Sequence, residues 1–174
     1  FGTTVSGRED SLSDIEHMVG LFINTIPLRL QIPRQQTVVE WLQSLQEHYS
    51  QQQQHAFLPL NQITRQSSLE AGQELFDTLV VFENYPIDES LTSRTIGDGQ
   101  SIEEVTMFEQ ASYPLGLVVA PGESLHCRMT YSTSQFDLTT VQRLKAQLEV
   151  AFQELVANPD CQVGALDLRT KEEL

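Results

Sequence analysis

Apolar and polar positions alternate in short runs along much of the chain and fall at helical spacing in two longer stretches. The dominant run is residues 18–29, MVGLFINTIPLR, where Val19, Leu21, Phe22, Ile23, Thr25, Ile26 and Leu28 predict a strand. Leu28, Leu30 and Ile32 carry the alternation on to Pro33, which ends it. Asn24 interrupts the run with two N–H donors and an acceptor. Such a group is either satisfied inside a core strand or lines a site, and both readings stand. Residues 1–7 predict a short strand stiffened by Thr3, Thr4 and Val5 and ended at the polar exit Ser6-Gly7-Arg8. Residues 13–16 suit a single helical turn.

The first long helix is predicted over residues 36–54, with Val38, Trp41, Leu42, Leu45 and Tyr49 on one stripe. Thr37 and Glu40 have the spacing of a capping box, and the glutamines at 51–54 read as a solvated last turn. After a turn at Pro59 a short helix is expected over 60–63, then a polar loop over 67–74. Residues 77–85 predict a buried strand through Leu79-Val80-Val81-Phe82, followed by a long loop to residue 100. Three more strands are expected at 102–110, 115–120 and 125–131, the last two joined as a hairpin at Pro121-Gly122. The second long helix covers 137–157, capped by Asp137, with Val141, Leu144, Leu148, Ala151, Phe152 and Leu155 on one face and Asn158-Pro159 as its stop. Strands in mixed order with two long amphipathic helices predict an α/β or α+β two-layer sandwich, a mixed sheet packed with helices.

Composition narrows the partners. A chain of 174 residues with 40% hydrophobic and 20% charged residues fits one folded unit. Its formal charge of −14, with only ten Lys and Arg, argues against nucleic acid and is read as a solubility feature. Cys127 and Cys161 have no CxxC or ligand spacing, so neither a metal site nor a disulfide framework is indicated, and a reducing cytoplasm fits. The longest apolar run falls far short of the ~20 residues of a membrane span. The chain opens at Phe1 in mid-pattern, which points to a piece of something longer.

Candidate chemistry is sparse. The histidines His17, His48, His55 and His126 are isolated from one another. His55 stands near Asn61 but has no local carboxylate or nucleophile, so a structural role is favoured over a base. Asp88, Glu89 and Asp98 lack the spacing of a calcium loop and read as a solvated acidic loop.

FGTTVSGR at the start, followed by IEHMVGLFINTIPLR, resembles the opening of the C-terminal half of a condensation domain of nonribosomal peptide synthetases, the second stretch matching the fifth core motif of that family. HAFLPLN at 55–61 sits where the sixth motif belongs, and LFDTLVVFENYP at 75–86 follows in the same order. The family's seventh motif ends in an Arg-Asn-Pro-Leu-like string, whereas this chain has Gly72-Gln73-Glu74-Leu75, so no arginine role is carried over there. The catalytic HHxxxDG string of the family's N-terminal half does not occur.

The resemblance implies one lobe of a chloramphenicol-acetyltransferase-like fold. Residues 1–166 would be the C-terminal subdomain and 167–174 the start of a linker to a following adenylation domain. It implies amide bond formation between donor acyl and acceptor aminoacyl thioesters held on the phosphopantetheine arms of carrier proteins, with the base supplied by the N-terminal lobe. This lobe would then bind no cofactor, hold no catalytic residue, and be inactive alone. Ser6 and Asn24 would be polar contacts near the substrate tunnel, and Arg8 or Arg29 would be structural or near the arms; for Ser6 a simple turn role is equally open. An apolar face is expected where the other lobe docks. A noncatalytic protein-binding module on the same fold, or half of a coenzyme A-dependent acyltransferase, are the alternatives.

Overall fold

A strand forms only where its backbone finds a partner, and the register of pairing decides which predicted strands appear. The computed structural model describes residues 1–7, 13–70, 72–83 and 112–173. In chain order these form β1 (Gly2–Val5), β2 (Asn24–Pro27), α1 (Val38–Gln53), α2 (Leu60–Gln66), β3 (Thr78–Phe82), β4 (Leu115–Ala120), β5 (His126–Tyr131) and α3 (Leu138–Ala157). The strands make one five-stranded mixed sheet in the order β2-β1-β3-β4-β5. β1 runs antiparallel to β2 and parallel to β3, β3 runs parallel to β4, and β4 and β5 form the expected hairpin. This is the predicted α/β two-layer class. The strand expected at 102–110 and the acidic loop with Asp88, Glu89 and Asp98 lie outside the described residues.

The predicted strand at 18–33 is much shorter than its apolar pattern suggested. β2 spans only Asn24–Pro27 because β1 offers partners only from Gly2, opposite Pro27, to Val5, opposite Asn24. One further bond, Leu28 N–H to Phe1 O at 2.8 Å, closes the far end. At the near end the chain turns away at Gly7, whose φ of +64° is left-handed. A Cβ there would lie 1.7 Å from the Phe22 carbonyl oxygen, so glycine is required both for the angle and for the close approach. Residues 18–23 lead into β2 outside the ladder that β1 and β2 form among the described residues.

β3 takes the central place that its run of aliphatics predicted, with parallel neighbours on both sides. It is half-buried, however, and Phe82 at its end is exposed. Buried side chains include Val5, Ile26, Val38, Ala56, Phe76, Val118, Val119 and Val141. Val5, Ile26 and Ala56 form one cluster that joins β1 and β2 to the turn after α1.

Helix α1 carries the predicted capping box: Thr37 Oγ1 accepts from Glu40 N–H, and Thr37 N–H donates to Glu40 Oε2. Those bonds hold the Glu40 carboxyl below its usual pKa. The predicted stripe is only partly covered, with Val38 buried, Trp41 and Leu45 half-buried, and Leu42 and Tyr49 exposed. The helix is fastened at its ends instead. Val38 N–H donates to Cys161 O and Val39 N–H to Pro159 O, while Val163 and Gly164 donate to Gln36 O and Arg34 O. Chain after α3 thus satisfies the first two helical N–H donors of α1, and the capping box satisfies the other two.

Helix α3 is capped by Asp137, whose Oδ1 accepts from Thr140 N–H at 2.7 Å, which lowers the carboxyl's pKa. Of its predicted face Val141 is buried, while Phe152 is exposed. After α3 the tail folds back. Arg169 grips Asp167 through two hydrogen bonds, holding that carboxyl at about 2, and Gln147 of α3 donates to Glu173 at 2.9 Å.

Gly7→Ala should lower stability by more than the ~1–2 kcal/mol of a left-handed alanine alone, since the Phe22 carbonyl must also move. Gly72→Ala, at φ +92° with nothing within 4 Å of the new Cβ, should cost only the backbone term. Urea denaturation of both variants checks the ordering, and equal losses would contradict the close contact at Gly7.

Candidate functional site

The antiparallel register brings two of the sequence-predicted site residues to one end of the sheet. Asn24 pairs with Val5, and Ser6 is the next residue along β1, exposed at the corner that Gly7 turns. Arg29 lies beyond the other end of β2, about 15 Å of extended chain from Asn24, and is exposed. Arg8 lies outside the described residues. Ser6 and Asn24 are thus neighbours, and Arg29 is not part of the same cluster.

Asn24 is fully engaged through its amide nitrogen. Nδ2 donates to Ala56 O at 2.7 Å and to Leu58 O at 2.9 Å, and Oδ1 accepts from Thr25 N–H at 2.9 Å. Both N–H donors therefore hold the turn between α1 and α2 onto β2, in the same place where Ala56 plugs the Val5–Ile26 cluster. The carbonyls of a turn have no strand or helix partner of their own, and the Asn24 amide supplies one.

Under that turn lies a pocket of about 450 Å³ lined by Ile26, Pro27, Gln52, His55, Leu58, Ile63, Gln66 and Ser67. Gln52 reaches into the fold although its run of glutamines suggested a solvated turn. The signal was present: steps of three, four, four and three residues from Val38 through Trp41, Leu45 and Tyr49 arrive at Gln52, so it continues the helix stripe. His55 is exposed at the rim.

A second concavity, of about 690 Å³, separates the edge strand β5 from α3 between Cys127, Met129, Val141, Leu148 and Phe152. Near it Ser124 Oγ and His126 Nε2 are 3.3 Å apart at the exposed hairpin tip. Among the described residues no carboxylate hydrogen-bonds the His126 ring, so the pair lacks the third group that would orient a base. No group of three or more His, Cys, Asp or Glu positioned to hold a metal is present among the described residues.

The remaining feature is apolar. Along residues 18–23 the side chains of Val19 and Leu21 are 103% and 91% exposed, with Ile23 and Met18 also open to solvent. Met18, Val19, Leu21 and Ile23 thus crowd large exposed apolar side chains into one six-residue stretch. An uncovered row of large aliphatics is costly in water.

The family model for the condensation domain matches residues 1–174. The chain belongs to the condensation domain family. It is 37% identical over 168 residues to surfactin synthase subunit 3 of Bacillus subtilis, a match that covers 97% of the chain and 13% of that protein. Against gramicidin S synthase 2 of Brevibacillus brevis it is 34% identical, covering 99% of the chain and 4% of the relative. The fold superposes on a holo four-domain nonribosomal peptide synthetase bound to AMP and glycine with a TM-score of 0.81 at 17% identity, covering 98% of this chain and 14% of that one. The chain thus spans a small fraction of the proteins it matches, and its sheet and helices are those of a chloramphenicol-acetyltransferase-like lobe. No helix among the described residues is long and apolar enough to cross a membrane.

Asn24→Ala in this condensation-family chain leaves the Ala56 and Leu58 carbonyls without their donors and should cost about 2–3 kcal/mol. Amide exchange over the turn at 54–59 should accelerate with it. A variant with unchanged urea midpoint and unchanged exchange would show that the amide does not hold the turn.

Proposed function

We propose that this chain is the C-terminal lobe of a condensation domain that forms amide bonds in nonribosomal peptide synthesis, supplying one wall of a substrate tunnel and no base. The observation that carries this reading is the exposed row Val19, Leu21 and Ile23, an apolar surface suited to the other lobe of the domain. In the reaction, the amine of an acceptor aminoacyl group attacks the thioester carbonyl of a donor, and the carrier thiol leaves. Each reactant rides on a phosphopantetheine arm, so holding both ends supplies proximity that is worth on the order of 7 kcal/mol or more in well-oriented systems. Lack of an HHxxxDG string in the chain and of an oriented histidine among the described residues agree with a base contributed by the N-terminal lobe.

In this reading Ser6, exposed at the Gly7 corner, contacts the acceptor side. Asn24 acts through the turn that its amide holds, and Arg29 and Arg8 are structural or near the arms. The lobe binds no cofactor of its own. Its partners are the N-terminal lobe, carrier proteins and an adenylation domain reached through residues 167–174. The synthetase works in the cytoplasm.

An amide-formation assay with donor- and acceptor-loaded carrier proteins, read by product mass, tests this. The 174-residue chain alone should give no product, the two-lobed parent should give product, and Leu21→Asp in the parent should reduce it at least tenfold by opposing lobe contact. Turnover by the chain alone would overturn the division of labour, and an undiminished Leu21→Asp parent would remove the docking row from it.

A further inference from the structure

Helix α1 and the segment that leaves β2 meet along a groove. Trp41, Leu45 and His48 follow one another at steps of four and three residues, so they share one face of α1. The segment is fastened to that helix by Trp41 Nε1, which donates to Gln31 O at 2.9 Å. Between them lies a cavity of about 610 Å³ whose lining includes Arg29, Leu30, Pro33, Trp41, Leu45 and His48. That volume is within the ~300–1,000 Å³ of small-molecule sites.

Charge distinguishes this cavity from the other two. The chain carries 24 Asp and Glu against ten Lys and Arg, yet the lining here holds no Asp or Glu. Arg29 and His48 are both exposed, and among the described residues neither side chain has a hydrogen-bond or ion-pair partner. The cavity between β5 and α3 also has a cation, but there Lys145 stands 3.7 Å from Glu149 and is already matched. The cavity under the 54–59 turn has neither Lys nor Arg. Leu30, Pro33, Trp41 and Leu45 are half-buried and give the groove apolar walls. With its N–H committed to Gln31, the Trp41 indole has only ring surface left for a ligand.

We infer that this groove binds a small carboxylate on an apolar body. The Arg29 guanidinium takes the two carboxylate oxygens as a fork, His48 supplies a ring N–H in either neutral tautomer, and the body lies along Trp41 and Leu45. One guanidinium matches one negative charge, and a net charge of −14 opposes a dianion more than a monoanion. Arg29 follows the end of β2 opposite the Ser6–Asn24 corner, so the groove is separate from that corner and independent of the condensation reading.

Trp41 is the one tryptophan of the chain, so its fluorescence reports on this groove. The test is a fluorescence titration of the 174-residue chain with hydrocinnamate, with hydrocinnamamide, which keeps the body without the charge, and with phenethyl phosphate. Hydrocinnamate should give a saturable change, with affinity at least tenfold above the amide. Arg29→Gln, at an exposed position, should lower hydrocinnamate affinity at least tenfold and leave binding of the amide unchanged. No saturable change with hydrocinnamate, or equal affinity for acid and amide, would overturn the assignment on the unsubstituted chain alone. Tighter binding of phenethyl phosphate would also overturn it, and would turn Arg29 toward a phosphate-bearing arm. Undiminished hydrocinnamate affinity in folded Arg29→Gln chain would remove the guanidinium from the site and the assignment with it.

Discussion

Two hydrogen bonds from a single side-chain amide join the helical layer to the edge of the sheet. Asn24 sits in the one stretch of its apolar run that finds a strand partner, and it spends both donors on the carbonyls of Ala56 and Leu58. The turn so held carries Ala56 into the Val5–Ile26 cluster and sets the exit of α1 and the start of α2. At the other end of α1, backbone bonds to Pro159, Cys161 and the residues that follow do the same. A long helix that buries only Val38 fully is thereby located by its two ends rather than by its stripe. Directional bonds suit that purpose, because apolar contact alone specifies burial and not register.

The same arrangement leaves one side of the chain uncovered. β1 stops at Val5, Gly7 packs against the Phe22 carbonyl, and residues 18–23 lie outside the β1–β2 ladder of the described residues, presenting Val19 and Leu21 to solvent. In a family whose members are parts of very large synthetases, an apolar row beside the polar Ser6–Asn24 corner makes physical sense as a seam between halves. Under the proposed reading, apolar area would supply affinity there and Ser6 at its margin would remain for substrate, since both Asn24 donors are taken by Ala56 and Leu58.

Much of this was legible in the chain itself. The caps Thr37 and Asp137 announced both long helices because capping depends on local spacing, and the Pro121-Gly122 turn announced the β4–β5 hairpin for the same reason. The family resemblance rested on ordered motifs, and it held over the whole chain. What periodicity could not supply was the end of β2, since alternation reports a residue's preference and not whether a partner strand lies opposite. Nor could it show which faces of α1 and α3 are covered, because that depends on segments distant in sequence. The glutamine-rich composition around Gln52 hides that residue, although its place on the helix stripe marks it.

Hydrogen exchange at the amides of residues 19–23, compared between the isolated 174-residue chain and the two-lobed parent, bears most directly on the central claim that this is half of a domain with its seam exposed. The account predicts rapid exchange in the isolated chain and at least tenfold slower exchange in the parent, with the amides of β3 and β4 changing far less. Equal exchange at residues 19–23 in the two proteins would contradict it and leave the exposed row without a partner lobe.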